Sequence, residues 1–370
     1  MDIEDKKQNI PQGWRLTTLG KVSSITNGST NTQDAVVDGE YPLFDRSVEI
    51  KKSNKYLFDD TAIILPGEGA EFIPKIYNGK FDLHQRAYAI FPDKNIVNPE
   101  YLYHFLYANR KDFAQKSVGS TVRSLRLPLI QSIDVNVPSI KEQQKIAEIL
   151  GTVDEDIEKT EEIIKSTEKL KQGLMQQLFT RGIGHTKFKE TKIGQIPEKW
   201  NIKTFEEFAV LQRGFDLPVP DRTIGQYDLV TSNGVTDTHD KFKVKAPGVV
   251  TGRSGTLGNV FYIENNFWPL NTTLYIKDFH GNHEKFVYYK IQSFDVARFG
   301  TGTGVPTLNR NIVHKEVIAV PEYVEQKKIA EILSIVDEKI LVNKKLKEKL
   351  TLLKKGLMQD LLSGKVRVNN

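Results

Sequence analysis

The sequence predicts an α+β protein in which two mixed α/β domains are joined by two long helices. The helices are expected to pack as an antiparallel coiled coil, with a pseudo-two-fold relation between the halves. Three observations predict this: a long internal repeat, helical periodicity within the repeat, and strand-like runs between its copies. The expected boundaries are 1–140 for the first domain, 141–181 for the first helix, 182–322 for the second domain with a linker at 182–195, and 323–370 for the second helix and a short tail.

The repeat is the most informative feature of the chain. From Val137 onward, its second copy follows the first at a constant interval of 183 positions, and a shorter match that opens each half, at Ile10 and Ile196, lies 186 positions apart. About half of the positions between 137 and 178 are identical in the second copy, whereas the stretches 29–118 and 215–301 share almost nothing. A unit this long is not a solenoid repeat, which spans roughly 20–50 residues. Matched frames around unmatched inserts suit a protein that reads two different half-sites. The repeated segments are Ile10-Pro11 with Trp14, Val137-Pro138, Glu142-Gln143 and 145–150, matched by Ile196-Pro197 with Trp200, Val320-Pro321, Glu325-Gln326 and 328–333.

Bulk composition narrows the class of protein. A chain of 370 residues exceeds one typical domain. There is no cysteine, which excludes disulfides and thiolate metal sites. No apolar run approaches the roughly 18 residues of a membrane span, so we expect a cytoplasmic protein without a membrane partner. The formal net charge is only +5, so local patches or partner subunits must supply any affinity for phosphates.

The repeated stretches predict two long helices, entered after Pro138 and Pro321 because the residue before a proline resists helical dihedrals. Apolar side chains recur three and four positions apart, as in a coiled-coil seam. Polar seam positions can fix the register of such a pair, and the candidates are Thr160, Thr167, Lys171, Asn343 and Lys354. The residues expected to pair the helices are Ile146, Leu150, Val153 and Ile157 of the first and Ile329, Leu333, Val336 and Ile340 of the second.

Charge favours an antiparallel arrangement of the two helices. The middle of the first helix is acidic and the middle of the second is basic, and antiparallel pairing brings these stretches together. It also sets Lys171 near Asp337, whereas parallel pairing sets Asp154 beside Asp337. A long amphipathic helix usually has a purely structural role. The near identity of the copies nevertheless suggests two equivalent docking surfaces for copies of one partner.

Each stretch between the helices reads as a mixed α/β domain. Strand-like runs occur at 61–65, 88–91, 249–250 and 274–276, separated by glycine- and asparagine-rich turns. Short helical patterns follow at 99–106 and 283–290, and polar loops at 119–126 and 302–310 close the domains.

Both domains carry side chains that can read base edges or hold phosphates. Arginine bridges guanine, asparagine and glutamine bridge adenine, and hydroxyl groups serve either purpose. Any one such residue is more often a solvated surface side chain. Arg253 and the pair Asn309-Arg310 are favoured, because nearby glycines allow close backbone approach to a ligand. The candidates are Arg46, Lys51, Lys52, Lys75, Gln85, Arg86, Arg123 and Arg126 in the first domain, and Arg213, Arg222, Asn233, Lys241, Arg253, Ser254, Thr307, Asn309 and Arg310 in the second.

Two fragments imitate methyltransferase motifs, but their contexts are wrong. The glycine-rich run 299–304 is followed by Pro306 where a helix should begin, and Asn98-Pro99-Glu100-Tyr101 precedes that run instead of following it. No G-x-x-x-x-G-K-[ST] loop occurs, and the seven histidines lack companions at metal-ligand spacing. We therefore expect no catalytic residue, no metal and no cofactor in this chain, only recognition.

The order of variable domain, repeated helix, variable domain and repeated helix resembles the DNA specificity subunit of Type I restriction–modification enzymes. The resemblance covers nearly the whole chain. It rests on the duplicated segments above, together with Gly119-Ser120-Thr121 and Gly302-Thr303-Gly304. A longer lead-in precedes Ile196 than precedes Ile10, so the symmetry is looser at the first domain.

The resemblance implies specific partners. Each variable domain becomes a target recognition domain reading one part of a bipartite double-stranded DNA target, and the helices set the spacer between the parts. The helices also dock two methyltransferase subunits, and motor–nuclease subunits join that core. S-adenosylmethionine, ATP and magnesium belong to those partners. Base-contacting residues cannot be carried over, because recognition positions vary within the family.

Two other classes of function remain open at this point. A fused methyltransferase or restriction enzyme with its own active site would methylate DNA when purified alone with S-adenosylmethionine. A protein-only scaffold would join its partners and bind all duplexes equally.

Overall fold

The computed structural model describes residues 10–119, 123–294, 296–301 and 306–368. The chain forms two compact units. The first unit comprises Met1–Glu161 and Lys345–Asn370, and the second comprises Glu162–Lys344. Each unit therefore combines one mixed α/β domain with part of both long helices.

The first domain alternates strands with three helices before the first long helix begins. Its helices are α1 (Leu19–Val22), α2 (Pro99–Lys116) and α3 (Leu127–Gln131), followed by the long helix α4 (Ile140–Arg181), and a 3₁₀ turn lies at Thr32–Asp34. Its strands are β1 (Arg15–Thr18), β2 (Ser23–Asn27), β3 (Tyr41–Phe44), β4 (Lys51–Ser53), β5 (Phe58–Pro66), β6 (Lys75–Leu83), β7 (Ala87–Pro92) and β8 (Asp134–Val137).

A six-stranded sheet in the order β2-β7-β5-β6-β3-β4 forms the body of the first domain, and β1 pairs separately with β8. The central strand β5 is buried on both faces. Ile63 and Leu65 point into the cluster that contains Trp14 and Tyr101. Ala62 and Ile64 point into a second cluster around Phe44 and Phe81. The alternation follows from the two-residue period of a strand, and it explains why the run 61–65 reads as continuously apolar.

The second domain has the same plan with more, shorter strands. Its helices are α5 (Phe205–Phe208), α6 (Glu284–Ser293) and α7 (Arg310–His314), followed by the long helix α8 (Tyr323–Leu362), with 3₁₀ turns at Val219–Asp221 and Val296–Phe299. Its strands are β9 (Phe188–Thr191), β10 (Gly194–Pro197), β11 (Asn201–Thr204), β12 (Val210–Arg213), β13 (Tyr227–Thr231), β14 (Gly234–His239), β15 (Gly248–Gly252), β16 (Val260–Ile263), β17 (Phe267–Pro269), β18 (Thr273–Asp278), β19 (Gly300–Thr301), β20 (Thr307–Leu308) and β21 (Val317–Val320).

The sheets of the second domain are a four-stranded one, β12-β18-β15-β16, and a three-stranded one, β14-β13-β17. The pair β11–β21 matches β1–β8, since Asn201 opposes Val320 as Arg15 opposes Val137. The predicted strands at 61–65, 88–91, 249–250 and 274–276 and the helical patterns at 99–106 and 283–290 are confirmed. No helix within the described ranges is long and apolar enough to cross a membrane.

The two long helices run antiparallel within each unit, as predicted. In the first unit Asp154 pairs with Lys354, and Glu161 lies 3.0 Å from Lys347. In the second, Lys171 lies 2.7 Å from Asp337. Partner numbers fall as positions advance along α4, which is the signature of antiparallel pairing.

The ion pairs join equivalent positions of the repeat crosswise. Asp154 and Asp337 are 183 positions apart, as are Lys171 and Lys354. Each lysine also lies over a tyrosine ring of its own unit: Lys354 Nζ is 4.6 Å from the Tyr107 centroid, and Lys171 Nζ is 5.3 Å from the Tyr289 centroid. The seam residues Lys171 and Lys354, expected as register-fixing breaks, are thus paired and largely buried.

The repeated Glu-Gln pair anchors each long helix to its own domain. Glu142 accepts hydrogen bonds from Trp14 Nε1 at 3.1 Å and from Arg367 Nε at 2.7 Å. The adjacent Gln143 accepts from Asn98 N at 2.7 Å and donates to Pro138 O at 2.9 Å. Hydrogen bonds to Arg367 hold the pKa of the Glu142 carboxyl below its ordinary value. Contacts inside the first unit therefore explain why the repeat contains a Glu-Gln pair.

The second unit repeats this anchor with a histidine in place of the arginine. Glu325 accepts from Trp200 Nε1 at 3.0 Å and lies 2.9 Å from His185 Nε2. Gln326 accepts from His283 N at 2.9 Å. Each glutamate's partner follows the end of a long helix: His185 comes after α4, and Arg367 comes after α8. The C-terminal tail therefore does for the first domain what the linker after α4 does for the second.

Candidate nucleic-acid interface

In the first domain, polar residues from four loops lie together in what we call the first loop cluster, formed by Arg46, Glu68, Gln85, Arg86 and Arg123. Arg86 Nη1 lies 3.0 and 3.1 Å from the two carboxylate oxygens of Glu68, and Arg46 Nη1 lies 3.4 Å from one of them. The carboxylate is recessed, since its side chain is 16% exposed while both arginines are 58% exposed. The outer surface of the cluster is therefore cationic.

The backbone fixes this cluster as firmly as its ion pairs do. Gly67 N donates to Arg86 O at 2.9 Å, and Gly69 N donates to Arg123 O at 3.0 Å. Gly28 lies so close to the neighbouring turn that a Cβ there would come within 1.9 Å of Leu83 O. Only glycine permits that approach. These contacts hold together the loops after β2 and β5, the β6–β7 turn and the segment that contains Arg123.

His84 lies in the same turn and stays neutral near pH 7. Burial lowers the pKa of its imidazole, and the positive charges of Arg86 and Arg46 act in the same direction. Its unprotonated Nδ1 accepts a hydrogen bond from Arg86 N at 3.0 Å. His84 thus fixes the backbone of Arg86, whose guanidinium group pairs with Glu68.

The second domain has a corresponding second loop cluster, formed by Arg213, Asp216, Arg253, Asn271 and Thr307. Arg213 Nη2 lies 3.1 Å from Asp216, which also accepts a hydrogen bond from Asn271. Arg253 Nη1 donates to Asn271 O at 3.1 Å. A β-bridge joins Ser254 to Thr307. A Cβ on Gly214 would come within 2.2 Å of Leu270 O, the counterpart of the contact at Gly28.

The two clusters are built on one backbone pattern. Gly67 N donates to Arg86 O as Arg253 N donates to Thr272 O, and Leu125 N donates to Gly67 O as Leu308 N donates to Arg253 O. The side chains at these equivalent positions differ. The equivalent pairs are Asn27 and Arg213, Gly67 and Arg253, Glu68 and Ser254, Gln85 and Asn271, Arg86 and Thr272, and Ser124 and Thr307.

Some of the DNA-binding candidates named from the sequence lie in these clusters, and the others lie elsewhere in the domains. The structure brings together Arg46, Gln85, Arg86 and Arg123 in the first domain, and Arg213, Arg253, Ser254 and Thr307 in the second. Gln85 Nε2 donates to Asn31 at 2.6 Å, and Arg123 Nη1 donates to Ala114 O at 2.8 Å. These eight residues place amide, hydroxyl and guanidinium groups at equivalent loops of both domains.

Other candidates are engaged elsewhere in the first domain. Lys51 Nζ lies 2.6 Å from Asp45 and Lys75 donates to Ser47 O at 2.8 Å, so both serve the fold of one loop. Burial alone would raise the pKa of Asp45, but hydrogen bonds from Lys51 and Ser47 outweigh it and leave that pKa lowered. Lys52 is exposed on β4, and Arg126 is exposed just before α3.

In the second domain, Asn309 caps α7 by accepting from Asn311 N at 3.0 Å, and Arg310 donates to the Gln212 side chain. Arg222 donates to Leu217 O at 3.3 Å. Asn233 and Lys241 are exposed outside the second loop cluster. Of the favoured candidates, Arg253 lies in a cluster, whereas Asn309 and Arg310 are used by local structure.

The expected helix-pairing residues fall into two groups: those in the core of a unit and those farther along the long helices. Ile146 and Leu150 join the core of the first unit with Leu361 of α8. Ile329 and Leu333 join the core of the second unit with Leu178 of α4. The four others are buried or half-buried farther along the helices: Val153, Ile157, Val336 and Ile340.

Sequence reasoning missed the residues that orient the arginines. Glu68 and Asp216 each hold one or two guanidinium groups, and Asn271 links Asp216 to Arg253. The only sequence signal for Glu68 is its pair of flanking glycines, which mark a close backbone approach. Of the expected motif loops, Ser120, Thr121 and 302–304 lie outside the described residues.

The methyltransferase-like fragments have structural roles. Asn98 caps α2 by accepting from Tyr101 N at 2.8 Å, and the fully buried Tyr101 donates its hydroxyl hydrogen to Asn136 O at 2.7 Å. Gly300 and Thr301 form the short strand β19, which pairs with β20. In the part of the chain that the structure describes, no group of three or more His, Asp or Glu residues is arranged to hold a metal ion.

With this geometry established, the class of protein follows from comparison. The chain matches the Type I restriction modification DNA specificity domain over residues 11–168 and again over 186–352. These two matches cover most of the sequence, one in each half. The chain therefore belongs to the family of Type I restriction–modification DNA specificity proteins.

The individual relatives that the chain resembles are Type I specificity subunits. The chain is 23% identical to the Type I restriction enzyme MjaVIII specificity subunit of Methanocaldococcus jannaschii, covering 98% of this chain and 95% of that protein. It is 32% identical over 223 residues to the EcoDI specificity subunit of Escherichia coli, a match spanning 54% of this chain and 50% of the relative. The chain thus matches about half the length of the E. coli protein.

Solved structures confirm the fold. The crystal structure of the Type I restriction–modification S subunit from M. genitalium superposes with a TM-score of 0.72 at 17% identity, covering 94% of this chain and 96% of that one. A chain from a study of complex assembly and conformational transition in the Type I system gives a TM-score of 0.56 at 13% identity. The predicted α+β architecture with paired long helices is the fold of these S subunits.

Proposed function

We propose that this chain is the non-catalytic DNA-reading subunit of a Type I restriction–modification system. Each domain reads one half of a bipartite double-stranded target through its loop cluster. The long helices dock two methyltransferase subunits, which bring S-adenosylmethionine, and motor–nuclease subunits join that assembly.

One observation carries the reading role: the two loop clusters share a backbone pattern but differ at every equivalent side chain named above. A shared frame with exchanged hydrogen-bonding groups is what reading two different base sequences requires, because base edges are distinguished by donor and acceptor pattern. The arginines at the surface supply positive charge for phosphates as well.

The docking role is supported by apolar side chains on the long helices that stay exposed. In the second unit Ile335 is 67% and Val342 57% exposed, and in the first unit Leu352 is 70% exposed. Exposed apolar side chains along a helix of this length fit a groove or helix of a partner protein. The Glu-Gln side chains, in contrast, already make hydrogen bonds within their own units, so they are less available to a partner.

The test uses the chain co-expressed with its methyltransferase subunits. Sequencing that detects methylated bases in host DNA should return one motif with two specific parts and a fixed spacer. Alanine at Arg213 and Arg253 should change only one of those parts, and alanine at the exposed Lys245 and Lys277 of the same domain serves as the matched control.

Two results would reject the proposal. Methylation of DNA by the purified chain alone, with added S-adenosylmethionine, would make it an enzyme. Equal affinity of the assembled complex for target and random duplexes would make it a protein scaffold.

A further inference from the structure

We propose that Glu68 is a positioning residue that aims Arg86 at a guanine in the half-site of the first domain, with Arg46 held beside it. This inference rests on the proposed function, since it specifies how the first domain reads DNA. It assigns a base type to that domain and a role to an acidic residue within a cationic surface.

The geometry of Arg86 leaves one edge of its guanidinium group available. Nη1 is occupied by both oxygens of Glu68, at 3.0 and 3.1 Å. Among the described residues, none accepts a hydrogen bond from Nε or Nη2 of Arg86. These two groups form the side edge of the planar fork, which is the edge that can donate two parallel hydrogen bonds. Guanine O6 and N7 are the matching pair of acceptors in the major groove.

The recessed position of Glu68 decides between two roles for it. A carboxylate that read cytosine directly would have to reach the outer surface, yet Glu68 is 16% exposed beneath two arginines that are 58% exposed. Its oxygens are already occupied by Arg86 and Arg46. Glu68 therefore orients the arginines, and the arginines meet the DNA.

The backbone makes this orientation rigid. Gly67 N donates to Arg86 O at 2.9 Å, Gly69 N donates to Arg123 O at 3.0 Å, and Glu68 forms a β-bridge with Ser124. His84 Nδ1 accepts from Arg86 N at 3.0 Å. Both ends of the Glu68–Arg86 pair are thus fixed before any ligand arrives. A side chain held in its bound conformation loses less entropy on binding, which favours discrimination.

The second domain lacks this device at the equivalent positions, which hold Ser254 and Thr272. Its acid–arginine pair, Asp216 with Arg213, arises from a different loop. Neutralising Glu68 should therefore affect the reading of the first half-site alone. The second half-site serves as an internal control for folding and assembly.

The experiment compares the assembled complex of this chain and its methyltransferase subunits carrying Glu68→Gln, Arg86→Lys or neither. The matched control is Asp60→Asn, which removes the acid of the exposed Lys94–Asp60 pair in the same domain. Dissociation constants are measured for duplexes in which each base pair of the target is replaced in turn, at two salt concentrations.

We expect Arg86→Lys to lose about 5- to 150-fold of discrimination at one G·C pair of the first half-site. Glu68→Gln should lose about 2- to 12-fold at the same pair, because the arginine is retained but no longer fixed. Neither substitution should change discrimination in the second half-site, and Asp60→Asn should change neither half.

Three results would overturn the inference. Unchanged discrimination at every base pair with Arg86→Lys, with affinity and salt dependence retained because lysine keeps the positive charge, would make Arg86 a phosphate contact. Unchanged discrimination with Glu68→Gln would remove its positioning role. Loss of discrimination at a pair other than G·C would assign a different base. If the unsubstituted complex already binds all duplexes equally, the proposed function itself fails, which is a distinct outcome.

Discussion

Arg253 adds a side chain to a backbone frame that both domains share. Its backbone N donates to Thr272 O and its carbonyl accepts from Leu308 N, so the residue belongs to the frame shared by both domains. The side chain is additional to that frame, because its counterpart in the first domain is Gly67. A side chain that one domain adds to a backbone pattern shared by both domains is well placed to distinguish one half-site from the other.

Replacing Arg253 with alanine should weaken binding of the second half-site by about 1–3 kcal/mol if its guanidinium makes a bidentate base contact. The first half-site should be read as before. Competition binding with duplexes substituted in one half at a time measures this, and Lys245→Ala is the control. Equal weakening of both halves would instead make Arg253 a structural or phosphate-binding residue.

His104 is a residue whose protonation should limit stability at low pH. Burial lowers the pKa of its imidazole to about 4, although Asp154 lies 3.8 Å away and acts in the opposite direction. We conclude that burial dominates and that no ion pair forms at neutral pH. Its Nδ1 is buried without a hydrogen-bond partner among the described residues.

The sign of the effect follows from the lowered pKa. The unfolded imidazole takes up a proton near pH 6.5 and the folded one only near 4, so this contribution is complete above pH 6.5 and is lost as the pH falls toward 4. Between pH 7.5 and 4.5 the loss should be about 2–3 kcal/mol in free energy of unfolding. Denaturant titrations should show that His104→Phe is less sensitive over this range. An identical pH dependence in both proteins would contradict the assignment.

At the residue scale, the base-reading candidates could be named from the sequence, whereas their acidic partners could not. Arg46, Gln85, Arg86, Arg213 and Arg253 could be proposed because their chemistry matches base edges. Glu68 and Asp216 could not, since an acidic residue in a DNA-binding surface is meaningful only once an arginine is known to lie against it. Such contacts join residues from separate loops, and no local pattern encodes them.

At the scale of elements, the crosswise ion pairs explain how the helices hold their register. A one-turn slip of α4 against α8 would separate Asp154 from Lys354 and Lys171 from Asp337 in their respective units. The two lysines are largely buried, at 17% and 12% exposed, and a buried charge that loses its partner is costly. Thr160 and Thr167, the other polar seam residues of α4, are buried but donate to Asp156 O and Ile163 O within the helix.

The Asp154–Lys354 pair can be measured by a double-mutant cycle. Asp154→Asn and Lys354→Met should each destabilise the protein, and the double variant should recover part of the loss. We expect a coupling free energy of about 1–3 kcal/mol in denaturant unfolding. The exposed Lys159–Glu155 pair on the same helix is the control and should couple by less than about 1 kcal/mol. Coupling no larger than in that control would show that the pair does not fix register.

The elements themselves were largely predictable, because their signals are local. Proline entries, heptad spacing and charge complementarity defined both long helices and their direction, and α4 and α8 begin two residues after Pro138 and Pro321. The short strands β9 and β10 were not anticipated, and neither was the docking of the C-terminal tail onto the first domain. Arg367 reaches Glu142 across 225 positions, a relation that no periodicity reveals.

At the scale of the whole molecule, each tryptophan anchor is completed by residues that follow a long helix. The residues after α4 complete the Trp200 anchor, and the residues after α8 complete the Trp14 anchor. Gly182 and Gly364 both have positive φ, at 64° and 70°, and both lie against these tryptophans. Helices commonly end in such a glycine. Each compact unit consequently draws on both halves of the sequence.

This organisation sharpens the test of whether the helices measure distance along DNA. An insertion in α4 alone would preserve one set of ion pairs and break the other, so loss of activity would be uninformative. Seven residues inserted after Thr160 and seven more after Lys347, on the facing helix, keep the same faces inward and all crosswise pairs intact. Two helical turns add about 10 Å.

We expect this paired insertion to lengthen the spacer of the methylated motif by about three base pairs, since base pairs are about 3.4 Å apart. Both specific half-sequences should be unchanged, because neither loop cluster is altered. Sequencing of methylated DNA from cells expressing the complex gives the readout, and the single insertion in α4 is the control, expected to abolish methylation. An active complex that keeps its original spacer would show that the helices join the two reading domains without setting the distance between them.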